Sequence, residues 1–161
     1  MAFQICVIRQ IRPQTKHLQI PKDTHPISSR PYRIPLHLEE TTRLQLNAML
    51  EQGVISPSDS PWSSLVILHP KKSGGYRFCI DFRRLNSLTA ADKFPIPLIE
   101  DVLNALAGQR FYSTLDLGSG YWQVPMAVED RPKTAFTING MGHFEFNVMP
   151  FGLQNAPATF Q

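Results

Sequence analysis

An α+β domain is predicted, on three observations. Short runs that alternate apolar and polar residues come in adjacent pairs joined by tight glycine-containing turns, the pattern of antiparallel hairpins. Two windows of helical spacing stand among them. Helical windows do not alternate with the strands regularly, so a parallel βαβ sheet is not indicated. The 161 residues, 42% hydrophobic and 18% charged, can build one core and fall in the globular range, so one domain or part of one is expected.

The elements follow in order. Pro13, Pro21, Pro26, Pro31 and Pro35 forbid a long helix at the start and favour extended backbone, so residues 1–23 read as a basic, extended leader or linker. From Leu38 to Val54, the apolar Leu38, Leu46, Met49, Leu50 and Val54 share one helical face, and Gly53 supplies a stop. "SLVILHP", "KKSGG" and "YRFCIDF" then read as a hairpin with a basic tip. Its alternation puts Arg77 opposite the aromatic residues, where it and the turn lysines can converge on one anion. In "FPIPLIEDVLNALAG" a stripe of Leu98, Val102, Leu103 and Leu106, with Pro97 near its start and Gly108 past its end, predicts a second helix. "RFYSTLDL" reads as a strand running into a turn through "GSGYWQ", and "KTAFTI" and "HFEFNV" read as strands joined by "NGMG". "GLQNAPATFQ" begins a helix, with Asn155 as a candidate cap and Pro157 in the first turn.

Charge and cysteines narrow the classes. The net charge of +3 is modest, but it is concentrated in residues 1–37 and in residues 69–84, which carry Lys71, Lys72, Arg77, Arg83 and Arg84. Each basic segment is a candidate polyanion surface or a solubilising face. Cys6 and Cys79 match neither a zinc spacing nor a disulfide framework, which fits a reducing compartment. The longest apolar run, Leu65 to Leu68, is far too short for a bilayer helix, and the first residues lack a signal-peptide pattern, so an intracellular protein is expected.

One carboxylate is out of keeping with its neighbours. Asp116 stands in an apolar strand just before "GSGYW", where an ionised group needs a metal, a cation or several donors; a strand-end cap on the turn is the plainer alternative.

The blocks "RPYRIP", "SPWSS", "PKKSGGYRFCIDFRRLN", "FPIPLIEDVL", "STLDLGSGYWQV" and "KTAFTINGMGHFEFNVMPFGLQNAPATFQ", in this order over residues 24–161, resemble reverse transcriptases of gypsy-like long-terminal-repeat retrotransposons. The resemblance implies a right-hand polymerase in which fingers occupy about 24–91 and 124–155, and a partial palm about 92–123 and 156–161. It implies RNA-directed DNA synthesis, with dNTP, a primer and an RNA or DNA template as partners and two Mg²⁺ ions as cofactors. Asp116 matches the first metal aspartate and the backbone carbonyl of Leu117 a further ligand. Lys71, Lys72 and Arg77 match cations that close on the triphosphate; Gly118, Ser119 and Gly120 form the turn that approaches it. Tyr121 matches an aromatic gate against the ribose 2′-hydroxyl, with core packing as its alternative. Phe151, where retroviral enzymes commonly carry Gln, and Gly152 lie under the incoming base, although Phe151 also suits simple packing. Trp62, Arg83 and Gln154 fall in template or primer blocks; for Trp62, packing beside Pro61 is an equal alternative.

Three departures stand out, the last of them the most consequential. Leu65 follows "SPWSS" where relatives often have Pro, and residues 1–14 match nothing in the family pattern. The family's second acidic motif, an aromatic, any residue and Asp-Asp, is not within these 161 residues, nor are the thumb and ribonuclease H portions of a Pol polyprotein. The expectation is therefore a domain truncated before that motif, inactive alone. The alternative is a non-catalytic fragment with weak, nonspecific nucleic-acid binding. The resemblance places such a protein in the cytoplasm, in a virus-like particle, with a nuclear phase possible.

Overall fold

The computed structural model describes residues 15–21, 23–93, 98–108, 110–114 and 116–160. Helix α1, Leu36–Glu51, begins directly after Pro35 and buries Leu38, Thr42, Leu46 and Met49, a spacing of four, four and three that makes one stripe. The Thr42 hydroxyl donates to the Leu38 carbonyl at 2.7 Å, so this buried polar group is satisfied within the helix. The helix ends three residues before the predicted limit, where the Gly53 amide donates back to the Leu50 carbonyl.

Two antiparallel sheets follow. Strands β2, Leu65–Pro70, and β3, Tyr76–Asp81, form the predicted hairpin, in register from Leu65 opposite Asp81 to Pro70 opposite Tyr76. Its tip needs glycine: Gly74 and Gly75 sit at φ of +88° and +77°, which side chains with a Cβ avoid. Strands β4, Phe136–Ile138, and β5, Gly142–Phe146, form the second hairpin. A short strand not foreseen from sequence, β1, Ile55–Pro57, adds to the other edge of β5 to give the order β1-β5-β4. The Ser64 amide donates to the Ala135 carbonyl at 2.8 Å and so joins the two sheets. Phe136, fully buried, fills that junction with ring centroids 5.7, 5.9 and 5.5 Å from Phe78, Phe144 and Phe146.

Several expectations are corrected. Residues 15–21 of the leader are extended as expected, but they are integral to the domain. Lys16 bridges to Met126, Leu18 joins the core, and the Leu18 amide donates to the Asp130 carboxylate at 2.9 Å. Extended backbone beside an unpaired edge is worth more bonded than solvated, so the boundary at residue 23 is not a structural one. "RFYSTLDL" forms no strand among its described residues, which pair with no strand there. "KTAFTI" is a strand only from Phe136, since Arg131–Thr134 make a 3₁₀ turn. The second helix, α3, Ile99–Leu106, forms after a shorter helix α2, Arg83–Asn86, but its apolar stripe is exposed throughout. Pro97 lies outside the described residues.

Helix α4, Ala156–Phe160, starts as predicted with Pro157 in its first turn. Asn155 does not spend its side chain on that helix. It donates to the Ala90 carbonyl at 2.7 Å and accepts the Asp92 amide at 3.0 Å, tying the helix to the loop after α2. No helix among the described residues is long and apolar enough to cross a membrane.

Candidate functional site

Residues 116–124 form a bend whose far end is bolted to the core. Ser119 takes the left-handed conformation at φ 49°, ψ 46°, and Gly120–Gln123 coil into a 3₁₀ turn closed by the Trp122 amide on the Ser119 carbonyl at 2.8 Å. The backbone then runs beside β5's continuation, where the Met149 amide donates to the Val124 carbonyl at 2.8 Å. That bond brings the start of "MPFG" against the turn. Met149 and Pro150 are buried, so Phe151 is pushed outward and stands half exposed over Tyr121.

Two cavities meet at Phe151. The smaller, about 300 Å³, is lined by Asp116, Leu117, Gly120, Tyr121, Phe151 and Phe160. The larger, about 660 Å³, is bordered by Lys71 and Arg77 from the hairpin, Ser119 and Trp122 from the turn, Phe151, Gln45, Ala48 and Met49 of α1, and Gln52 just after it. Thus Asp116 and Tyr121 line one cavity, Ser119, Lys71 and Arg77 another, and Phe151 is a wall of both. Both turn lysines are exposed; Lys71 borders the larger cavity and Lys72 lines neither. Gly152 borders a third hollow of about 150 Å³, also shared by Phe151.

The aromatic groups are interlocked. Tyr121 lies 5.0 Å from Phe151 with rings tilted by 36°, and 5.3 Å from Phe160 at 72°. Trp122 meets Phe151 edge-on at 6.1 Å, and its buried indole N–H has no hydrogen-bond partner among the described residues.

Asp116 differs from its sequence expectation. It is exposed, on irregular backbone, rather than enclosed in an apolar strand. An exposed carboxylate at a cavity mouth suits a hard cation such as Mg²⁺, which keeps waters and is held by one or two carboxylates plus substrate phosphates. No second carboxylate borders that cavity among the described residues, so the donor set fits one ion's protein share rather than a complete two-ion cage.

The template group is not assembled as expected. Trp62, only 8% exposed, packs in the core, so its ring is not free to stack on a base; it sits on the chain entering β2. The Arg83 guanidinium is outward but clasps Asp81 through two bonds, of 2.8 and 2.6 Å, and holds that carboxyl below the usual range. Gln154 is exposed, and its backbone N–H donates to the Asn86 Oδ1 at 2.9 Å. At Gly120 the close neighbour is the Phe160 ring, while Gly118 has open space where a Cβ would go.

Sequence reasoning missed Phe160 and Lys16. The Lys16 ammonium, buried to 4% exposure, donates to the Asn155 carbonyl at 3.1 Å and the Thr159 hydroxyl at 2.6 Å, thereby securing α4. Burial holds this amine below the ordinary lysine value, and the charge of Asp92 opposes the shift. A lysine in a basic segment gave no signal of such burial.

Comparison with known proteins adds a family. A family model described as reverse transcriptase (RNA-dependent DNA polymerase) matches residues 69–161. The retrovirus-related Pol polyprotein from transposon opus of Drosophila melanogaster is 39% identical over 167 residues, covering 100% of this chain and 16% of the relative. Residues 1–14, without a counterpart in the family pattern read from sequence, lie inside that alignment. The Pol polyprotein from transposon gypsy of Drosophila melanogaster is 39% identical over 145 residues, 86% of this chain and 14% of the relative. A foamy viral protease-reverse transcriptase, solved in complex with an RNA/DNA hybrid, superposes with a TM-score of 0.77 at 26% identity, over 89% of this chain and 19% of that one. The chain thus spans about a sixth of the length of the first of these relatives.

Proposed function

The chain belongs to the reverse transcriptase (RNA-dependent DNA polymerase) family, and on that premise we propose that it forms the fingers and part of the palm of a retrotransposon Pol enzyme joining a dNTP to a primer 3′-hydroxyl. The observation that carries this reading is the meeting of the two cavities at Phe151, one bearing Asp116 and Tyr121 and the other Lys71 and Arg77. A nucleotide laid across that junction has its base against Phe151 and Gly152 and its sugar against Tyr121. Its triphosphate then reaches toward the two cations, and Arg77 can grip it through a forked pair of donors. The left-handed Ser119 and the open Gly118 let backbone amides face phosphate closely.

Asp116, with the Leu117 carbonyl, is the protein share of the Mg²⁺ site. When bound, the ion supplies neutralisation of the phosphate charge. Arg83, Arg84 and Gln154 are exposed beside the hairpin and suit a template or primer backbone, with Arg83 exchanging Asp81 for a phosphate. An RNA/DNA hybrid of the kind held by the foamy viral enzyme is the proposed polymer partner. Trp62 serves packing in this proposal.

Primer extension tests it. In a Pol polypeptide carrying these residues, Asp116→Asn is expected to abolish Mg²⁺-dependent extension of a DNA primer on an RNA template. Because Asp116 is exposed, its melting temperature should not change. Substantial turnover in the variant would remove Asp116 from the metal site. The 161-residue chain alone, with one carboxylate at the cavity, is expected to give no extension; extension by it would overturn that part of the proposal.

A further inference from the structure

Phe160 closes the cavity beside Asp116 without being a residue that the family pattern assigns to it. Its ring stands edge-on to Tyr121 at 5.3 Å, and Phe151 lies 5.0 Å from the same ring, so Tyr121 packs against two other aromatic rings. The same ring lies on the turn itself: a Cβ built on Gly120 would meet the Phe160 Cζ at 2.6 Å, closer than real Cβ contacts come.

The brace is rigidly mounted. A five-residue helix does not persist by its own hydrogen bonds. Here α4 is pinned by the buried Lys16 ammonium on the Asn155 carbonyl and Thr159 hydroxyl, by the Asn155 side chain on Ala90 and Asp92, and by the fully buried Ala156.

We propose that Phe160 is a specificity-determining positioning residue: it braces the Tyr121 ring so that the ring cannot retreat from a ribose 2′-hydroxyl, and residue 120 is glycine because a side chain there would displace the brace. The inference rests on the reading of Tyr121 as the sugar gate. Exclusion by collision works only if the colliding group holds its place. A ring free to turn aside costs a ribonucleotide no more than an off-rotamer torsion, roughly tenfold at most. A ring backed by Phe160 must also move that second ring and, through it, an anchored helix.

The test is the ratio of kcat/KM for a deoxynucleotide to that for the matching ribonucleotide, in a Pol polypeptide carrying these residues. Wild type, Tyr121→Ala, Phe160→Leu and the double variant are compared, with Gly120→Ala as an independent displacement of the brace. Phe160→Leu is expected to lower the ratio about tenfold, almost entirely by raising ribonucleotide use. In the Tyr121→Ala background the same change should alter the ratio by less than about twofold, because a brace has no effect without the ring it supports. Gly120→Ala should lower the ratio in the same direction.

The outcomes separate the two ideas. If Tyr121→Ala lowers the ratio and Phe160→Leu does not, the brace is overturned and the gate stands. If Phe160→Leu acts equally in both backgrounds, Phe160 meets the sugar itself and the positioning role is overturned. If Tyr121→Ala leaves the ratio unchanged, the gate reading falls and the brace falls with it. Should Phe160→Leu fail to fold by circular dichroism, Gly120→Ala decides, and an unchanged ratio there overturns the proposal.

Discussion

Lys16 shows how far a residue's role can depart from its composition class. Counted with the basic leader, it instead sits buried behind α4, where its stem packs and its ammonium makes two hydrogen bonds. Because burial lowers its proton affinity in the folded state, the unfolded chain holds the Lys16 proton more tightly. Below the folded-state value both states are protonated and the fold bears the whole desolvation cost. As pH rises through that value toward 10.5, the folded state loses its proton first and stability rises. Wild type is therefore expected to gain stability relative to Lys16→Met over that alkaline window, by parallel melting curves; a constant difference would show that the amine is not desolvated. At neutral pH Lys16→Ala, which also empties the space of the stem, should cost about 2–4 kcal/mol.

At the scale of elements, α3 and β4 make opposite predictions from similarly apolar sequences. Phe136 of β4 is wholly enclosed by Phe78, Phe144 and Phe146 where the two sheets join, so Phe136→Ala should cost about 3–5 kcal/mol by chemical denaturation. Ile99 of α3 is 78% exposed, and Ile99→Glu should change stability by less than about 0.5 kcal/mol. A loss of several kcal/mol at Ile99 would mean that α3 is packed in solution. The helical stripe was readable in advance because its period is local; what it faces was not, because that depends on elements elsewhere. The reverse holds for β1, three residues with no periodicity to read, which exists because β5 offers it a free edge.

For the whole molecule, five exposed cations are grouped on one hairpin and the short helix after it: Lys71, Lys72, Arg77, Arg83 and Arg84. Phosphate-directed contacts of this kind bind any sequence and release counterions. The purified chain is expected to bind mixed-sequence nucleic acid weakly, with log affinity falling linearly in log salt, by fluorescence anisotropy. Salt-independent or sequence-selective binding would count against it. The alternation that placed Arg77 on the outer face of the hairpin was visible in sequence, and so was the basic tip. Which lysine borders the larger cavity was not, since Lys71 and Lys72 are neighbours of one type and only the turn geometry separates them.

The family, the hairpins and α1 were legible in sequence alone, and the proposed site set of Asp116, Ser119, Tyr121, Phe151, Lys71 and Arg77 was named from it, because short-range periodicity and ordered motifs carry that information along the chain. Tertiary structure alone decided that Trp62 is core, that Asp116 is exposed, that the leader's Lys16 secures α4, and that Phe160 presses on Gly120 and Tyr121. Each of these is a contact between residues far apart in the chain, or the absence of one. Residue type and local spacing do not record which distant surface folds over a given side chain.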